Sequence, residues 1–199
     1  RQQEAGTWEI FTTEELHGRT LGIIGYGEIG KAAAVRAKAF GMKVLALRRR
    51  PELSGNDAAV DQMFDHAHLN DLIAASDYIM VAAPLTPETR GMVGVTQIAA
   101  MKPNAVVINV GRGAVIDEAA LIDALENNRI KGAALDVFAV EPLPAGSPFY
   151  RLQNVLMSPH TADHVQDFVQ LAVECFLDNM QRFQAGQPLQ NLVDKRAGY

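Results

Sequence analysis

Three short segments of the sequence each carry a side chain suited to acid–base or electrostatic chemistry. Arg112 lies between two glycines in residues 109–113, Glu141 lies in residues 136–142, and His160 lies in residues 158–161. Together, a guanidinium, a carboxylate and an imidazole suit the reduction of a 2-keto acid. Arg112 could bind the substrate carboxylate and polarise the keto oxygen, and His160 could donate a proton to that oxygen as a hydride arrives. Glu141 could hold the imidazole and keep it protonated near neutral pH.

Each of these residues also has an ordinary structural interpretation. An arginine between glycines is often part of a surface turn, a glutamate before proline is often solvated, and a histidine that opens a helix is often a cap. All three segments, however, follow predicted strands, and ligands of open α/β sheets bind at the carboxyl ends of the strands. This shared placement favours the catalytic interpretation.

The remaining histidines lack such a context, and we expect His17, His66, His68 and His164 at the surface. His160 and His164 are four residues apart, as in a helical metal site. A zinc protease motif would need glutamate directly after the first histidine, and Thr161 occupies that position. The sequence therefore predicts no metal site.

A glycine motif marks a candidate nucleotide site. Gly25, Gly27 and Gly30 form G-x-G-x-x-G between a predicted strand and a predicted helix. In this context Gly25 permits the tight turn, and Gly27 lets the backbone come close to a pyrophosphate. Gly30 allows the helix to pack closely on the strand. The alternative is a glycine-rich turn with no ligand. The helix amino terminus would favour the bound anion.

The end of the second predicted strand indicates which dinucleotide is bound. An NAD site usually has an acidic residue there for the ribose hydroxyls. This chain instead has Arg48, Arg49 and Arg50. Because a guanidinium can pair with a 2′-phosphate, NADP is favoured over NAD, with Arg48 the first candidate contact and Arg49 the second. The alternative is a solvated basic turn.

Short apolar runs alternate with helical patterns along the chain. The runs are continuous rather than alternating, which is typical of strands covered on both faces. The fold class is therefore predicted as α/β, with a Rossmann-type doubly wound parallel sheet. Strands are predicted at 21–24, 43–47, 78–83, 105–110, 132–137 and 154–158, and helices from the glycine motif to residue 40, at 68–75, from Thr86 and Pro87, from Asp117 to about residue 127, and from after His160 to about residue 184.

The composition excludes several classes of protein. The chain has 199 residues, a net charge of −5 and 48% apolar residues, as an ordinary globular protein does. A net negative chain is a poor candidate for broad nucleic-acid binding, and no run approaches the roughly 18 apolar residues of a membrane span. The polar residues 1–20 do not form a signal peptide. The single Cys175 excludes a disulfide framework and indicates a reducing compartment, which we take to be the cytoplasm.

From about residue 6 onward, the chain resembles the D-isomer-specific 2-hydroxyacid dehydrogenase family. Several motifs in the right order and spacing make the resemblance specific. It implies a Rossmann-type NAD(P)-binding domain with catalytic residues at Arg112, Glu141 and His160. The matching segments are LHGRTLGIIGYGEIG at 16–30, PLTPETRGMV at 84–93, NVGRGAVIDEAAL at 109–121, ALDVFAVEPLP at 134–144 and SPHTA at 158–162.

The resemblance also implies which residues contact the dinucleotide. The backbone of Tyr26, Glu28 and Ile29 is expected at the pyrophosphate, and Asp136 on the nicotinamide side. Many members have Asp where this chain has Arg48, which again favours NADP, and Gly where it has Asp163, which alters the expected contact with the carboxamide. The expected cofactor-binding residues are Gly25, Tyr26, Gly27, Glu28, Ile29, Gly30, Arg48, Arg49, Pro84, Thr89, Val110, Gly111 and Asp136.

Family members are considerably longer, so the resemblance implies that an N-terminal segment forming most of a separate substrate domain is missing. Residues 1–184 are then the NAD(P)-binding domain, and residues 185–199 are a tail that returns to the substrate domain. The family also implies a homodimer through the nucleotide-binding domain. The expected activity is NADPH-dependent reduction of a small 2-keto acid, of the glyoxylate or hydroxypyruvate reductase kind, with the fragment alone inactive. A phosphoglycerate dehydrogenase and a non-catalytic NAD(P)-sensing corepressor are the alternatives.

Overall fold

The computed structural model describes residues 2–54 and 56–195, so residues 196–199 of the expected tail lie outside the described part. Within this part, seven parallel strands form one sheet in the order β3-β2-β1-β4-β5-β6-β7. The strands are β1 (Thr20–Ile24), β2 (Lys43–Leu47), β3 (Gln62–Phe64), β4 (Tyr78–Val81), β5 (Val106–Asn109), β6 (Gly132–Leu135) and β7 (Val155–Met157).

Helices connect most of these strands. The α-helices are α1 (Gln2–Ala5), α2 (Glu28–Ala39), α3 (Leu69–Ala75), α4 (Val95–Ala99), α5 (Glu118–Glu126) and α6 (Phe168–Gln184), with short 3-10 helices at Pro51–Leu53, His66–His68, Gly113–Val115 and Pro148–Arg151. Asp117 caps α5 as predicted, because its side chain accepts a hydrogen bond from the Ala120 N–H.

The centre of the sheet is buried on both faces. In β2, Leu45 and Leu47 join the larger apolar cluster, which includes residues of α3, α4 and α5. Val44 and Ala46, which point the other way, join the smaller cluster beneath α2. This two-sided burial explains the continuous apolar runs of the strands. The strand order reverses between β1 and β4, which confirms the predicted doubly wound α/β fold and creates a crevice at the carboxyl ends of these strands.

Residues 87–91 form turns, so the predicted helix start at Thr86 and Pro87 is wrong. The Thr89 hydroxyl donates to the Pro84 carbonyl at 2.7 Å and accepts from the Thr86 N–H at 2.8 Å. The Thr89 hydroxyl thus bonds two backbone groups, the Pro84 carbonyl and the Thr86 N–H, and closes a turn instead of a helix. After this turn, the chain forms an isolated β-bridge between Val93 and Ile116.

The long C-terminal helix begins later than predicted, at Phe168 rather than directly after His160. The N–H groups of Thr161 and Ala162 donate to the Asp136 carboxylate, which holds this stretch out of a helix. The sequence also did not predict α1, β3 and α4. These elements have four, three and five residues, so none is long enough to show a periodic pattern.

None of the residues of α6 is buried, although Phe168, Leu171, Phe176 and Phe183 are large and apolar. Trp8, Ile10 and Phe11 near the amino terminus are also exposed. Among the described residues, no helix combines the length and apolar character needed to cross a membrane.

Candidate active site

The glycine motif forms a tight turn between β1 and α2. Gly25 has a φ of +98°, and a Cβ there would lie 2.5 Å from the Ala83 nitrogen, so both conformation and space require glycine. A Cβ on Gly30 would lie 2.7 Å from the Gly25 carbonyl oxygen, whereas one on Gly27 would meet no heavy atom within 4 Å. The turn therefore packs tightly on one side and opens to a ligand at Gly27.

The amides at this turn divide into two groups. The N–H groups of Gly25 and Tyr26 both donate to the Leu47 carbonyl at 3.1 Å. Because its N–H is already bonded to the Leu47 carbonyl, Tyr26 does not serve as an N–H donor to a pyrophosphate. Glu28 and Ile29 lie in the first turn of α2, where N–H groups have no partner within the helix. These amides are the donors that the turn offers to an anion.

A cleft of about 370 Å³ extends from this turn toward the ends of β2 and β4. Arg48 is half-buried at its wall, and its guanidinium donates a hydrogen bond to the Ser54 hydroxyl. Arg49 and Arg50 are exposed at the same wall. The structure thus brings the arginines into one cleft with other expected cofactor residues. The cleft contains seven residues that the sequence predicts to bind the cofactor: Gly25, Tyr26, Gly27, Arg48, Arg49, Pro84 and Thr89.

Several further residues around this cleft carry no sequence signal for a binding role. His66, Thr86, Glu88 and Met92 also line it. His66 is exposed as expected, but it follows β3, a strand that the sequence pattern did not reveal. Ser54 lies in the irregular stretch after β2, where no periodicity marks a role.

Arg112 follows β5 on a turn held by Asn109. The Asn109 side chain accepts from the Gly111 N–H at 3.1 Å and donates to the Arg112 carbonyl at 3.2 Å, and the residue is only 1% exposed. The guanidinium itself donates to the Gly111 carbonyl at 2.7 Å. Val110 continues the strand pairing, since its N–H donates to the Val81 carbonyl at 3.1 Å. Arg112 thus lies at the same sheet edge as the glycine turn.

Glu141 and His160 form a direct pair. The imidazole Nδ1 lies 2.7 Å from the Glu141 Oε2, and the Phe138 N–H donates to Oε1 at 2.8 Å. Partial burial opposes ionisation of this carboxyl. The hydrogen bonds from His160 and Phe138, with the positive charges of His160 and Arg112, outweigh that effect and lower the pKa of Glu141 below its ordinary value. The pair lines a second cleft of about 660 Å³, together with Phe138, Pro142, Leu143, Tyr150, Met157, Ser158 and Pro159.

Asp136 holds the loop that carries His160. Its side chain is buried at 5% exposure and accepts from the Ser158 hydroxyl at 2.6 Å, the Thr161 N–H at 3.0 Å and the Ala162 N–H at 3.1 Å. These bonds use three of roughly four acceptor positions of a carboxylate. They also outweigh the effect of burial and lower the pKa of Asp136. The expected contact of Asp136 with the nicotinamide stays a prediction.

Asp163, which replaces the glycine of many family members, is exposed and lies 3.8 Å from the His164 imidazole. In the described part of the chain, no group of three or more His, Cys, Asp or Glu side chains could hold a metal ion. His17, His68 and His164 are exposed, as expected.

A family model for the NAD binding domain of D-isomer specific 2-hydroxyacid dehydrogenases matches residues 1–162. The chain belongs to this family. Among curated relatives, glyoxylate/hydroxypyruvate reductase B of Pectobacterium carotovorum is 40% identical over 200 residues, which cover 96% of this chain and 61% of that protein. The chain thus spans about three fifths of the length of the first curated relatives that it matches.

Solved structures of family members superpose closely. A D-isomer specific 2-hydroxyacid dehydrogenase from Xanthobacter autotrophicus, in complex with NADPH and MES, is 38% identical with a TM-score of 0.88, covering 100% of this chain and 80% of that one. An NADPH-dependent glyoxylate/hydroxypyruvate reductase from Sinorhizobium meliloti, in complex with NADP and sulfate, is 32% identical with a TM-score of 0.86, covering 100% and 62%.

Proposed function

We propose that this chain is the cofactor-binding and catalytic part of a reductase that transfers a hydride between NADPH and a small 2-keto acid, of the glyoxylate or hydroxypyruvate reductase type. The observation that carries the proposal is the His160–Glu141 pair, 2.7 Å apart, at the carboxyl edge of the same sheet as the glycine turn. The curated relative is named for this activity, and both solved relatives contain NADPH or NADP.

The residues of this chain fit a phosphorylated dinucleotide. The space at Gly27 and the first-turn amides of α2 form a cradle for a pyrophosphate, and the half-buried Arg48 faces the cleft next to it. Pro84 and Thr89, which follow β4, line the same cleft. Bound there, the nicotinamide cofactor would supply or accept the hydride. NADP is the preferred cofactor in this proposal, and NAD can also be used.

The catalytic work of the chain's own residues follows from their chemistry. Arg112 binds the substrate carboxylate and polarises the keto oxygen, which requires its guanidinium to leave the Gly111 carbonyl. His160 gives a proton to the keto oxygen and takes it back in the reverse reaction. Glu141, itself fixed by the Phe138 N–H, orients the imidazole through Nδ1 and leaves Nε2 for the substrate.

We also propose the division into a cofactor domain at 1–184 and a tail at 185–199 that returns to a separate substrate domain. The exposed apolar side chains of α6 support it, because an isolated helix of 17 residues is marginal in water without a packed face. We further propose a homodimer through the nucleotide-binding domain, working in the cytoplasm, where the exposed Cys175 stays a free thiol.

The cofactor assignment is tested by Arg48→Asp. Because this change removes a charge-assisted contact and places a carboxylate beside the 2′-phosphate, NADPH binding should weaken by about 10- to 100-fold, while NADH binding changes much less. Titration of both cofactors by the quenching of intrinsic fluorescence measures the two dissociation constants. Equal losses for NADPH and NADH would show that Arg48 does not contact the 2′-phosphate.

The reaction is tested in the full-length gene product by steady-state assays with NADPH and a panel of keto acids. Turnover of glyoxylate or hydroxypyruvate supports the proposal. Turnover confined to the phosphoglycerate couple would indicate a phosphoglycerate dehydrogenase instead. Tight cofactor binding with no turnover on any substrate would refute the reductase and indicate a cofactor-sensing corepressor.

A further inference from the structure

The cleft next to the glycine turn has cations on one side and a carboxylate on the other. Arg48, Arg49 and Arg50 follow β2, and His66 follows β3. Glu88 lines the same cleft from the turn after β4. Because β1 lies between β2 and β4 in the sheet, the glycine turn separates the two sides. Glu88 and the arginines therefore line the same cleft from the two sides of the glycine turn.

Glu88 is exposed, so its carboxylate is ionised at neutral pH. Polar interactions with Thr86 and with the backbone N–H of Glu88, followed by the positive charge of Arg49, outweigh desolvation and lower the pKa of Glu88 below its ordinary value. The carboxylate therefore lies within electrostatic reach of Arg49, and both residues line the same cleft.

Asp57, another carboxylate near this turn, is already engaged elsewhere. It accepts from the Tyr26 hydroxyl at 2.9 Å and from the Ala59 N–H at 3.0 Å, so it fixes the loop after β2. Tyr26 is fully buried, and burial followed by the Asp57 hydrogen bond raises its pKa. The Asp57 carboxylate is therefore used to hold the loop after β2, whereas Glu88 is exposed in the cleft.

We propose that Glu88 is a specificity-determining residue that limits the preference for NADPH and keeps NADH usable. This inference rests on the proposed function. A 2′-phosphate carries a charge of about −1.5 to −2 at pH 7, so NADPH must approach a cluster that already has a negative neighbour. NADH lacks this phosphate, and with NADH bound Glu88 remains a negative charge in the cleft that the arginines line. The Glu88 carboxylate thus repels the 2′-phosphate of NADPH, and it balances part of the positive charge of the arginines when NADH is bound.

Glu88→Gln tests this role, because glutamine keeps the length and one carbonyl oxygen of the side chain while the charge is removed. Since exposed charge pairs have modest energies, NADPH binding should tighten by about two- to fivefold, with NADH binding unchanged or slightly weaker. The same change should tighten the binding of 2′-AMP but not that of 5′-AMP, and the effect should shrink in high salt. Calorimetric titration gives all four dissociation constants.

Glu126→Gln is the matched control, because Glu126 is exposed at the end of α5 and its loss changes the net charge equally. Equal tightening by both variants, equal tightening of NADPH and NADH, weaker NADPH binding, or no change in Glu88→Gln would each overturn the role of Glu88. Wild-type protein that binds neither NADPH nor NADH would instead refute the proposed function. The two failures are therefore distinguishable in the same titrations.

Discussion

Replacing Gly113 by alanine should disturb both catalytic segments at once. Gly113, the residue after Arg112, is buried, and a Cβ there would lie far closer than 3.0 Å to the carbonyl carbon and oxygen of Phe138 and to the nitrogen of Ala139. All three are backbone atoms, so no side-chain rotation can relieve the clash. The peptide between Phe138 and Ala139 must retreat by roughly 1 Å or more to restore van der Waals contact.

The size of the effect follows from this geometry. Inserting a methyl group into a packed region costs about 1–3 kcal/mol, and a rigid backbone neighbour places this site at the upper end, about 3 kcal/mol. For a chain of this length, that free energy corresponds to a fall in Tm of roughly 6–12 °C. The Phe138 N–H also holds the Glu141 carboxylate at 2.8 Å, so the retreat moves the partner of His160. A displacement of about 1 Å can lower the rate of a positioned reaction about 100-fold.

Thermal unfolding followed by circular dichroism measures the stability loss, and a hydride-transfer assay of the full-length gene product measures the rate. Gly146→Ala is the control, because a Cβ at Gly146 meets no heavy atom within 4 Å. Its Tm should stay within about 2 °C of the wild type. If Gly113→Ala had the same Tm as the Gly146→Ala control and kept full turnover, the close approach of the Arg112 and Glu141 segments would have no energetic or catalytic consequence.

Three further predictions concern catalysis, domain organisation and pH. His160→Ala should lower turnover of the full-length gene product by about 100-fold or more while NADPH affinity stays nearly unchanged, because the imidazole contacts Glu141 rather than the cofactor cleft; retained turnover would remove His160 from the proposed role. The 199-residue chain alone should bind NADPH in a fluorescence titration but show little or no turnover, and full activity would contradict the two-domain proposal. Although burial opposes it, hydrogen bonds from the Thr20 N–H, Lys102 and Asn104 lower the pKa of Asp77, so its contribution to stability is present above about pH 4 and is lost as the pH falls further. The free energy of unfolding, measured with urea between pH 7 and pH 3, should therefore fall less in Asp77→Asn than in the wild type. If this free energy fell equally with pH in both proteins, Asp77 would not have the assigned contribution.

The strands were predictable from sequence because burial on both sides leaves a strong signal. Val44 and Leu45 face opposite clusters, so the segment has no polar face to interrupt its apolar run. The edge strand β3 pairs with a neighbour on one side only and has three residues, too few for a pattern. Thr86 and Pro87 gave a misleading signal, since a hydroxyl that can cap a helix can also close a turn. The Thr86 hydroxyl closes this turn by accepting a hydrogen bond from the Thr89 N–H at 3.3 Å.

The positions of the candidate site residues were predictable where they lie on segments that follow predicted strands. The structure places Arg112, Glu141 and His160 after β5, β6 and β7, and their catalytic roles stay predictions. The supporting contacts were not predictable, because they join residues far apart in sequence through atoms common to many polar side chains. The hydrogen bond between Arg48 and Ser54 forms within the loop after β2, and His66 and Glu88 come to the same cleft only through the strand order.

Asp136 illustrates how the fold fixes the proposed proton donor. His160 has a φ of +52°, a left-handed conformation that histidine adopts more readily than most residues but that still needs support. That support comes from one residue at the end of β6: the Asp136 carbonyl accepts from the His160 N–H at 2.8 Å, and its carboxylate holds Ser158, Thr161 and Ala162 on either side. The imidazole is therefore directed to Glu141 by the backbone as well as by its own hydrogen bond. A site held in this way is preorganised, because the loop is fixed by bonds to the sheet rather than by the substrate.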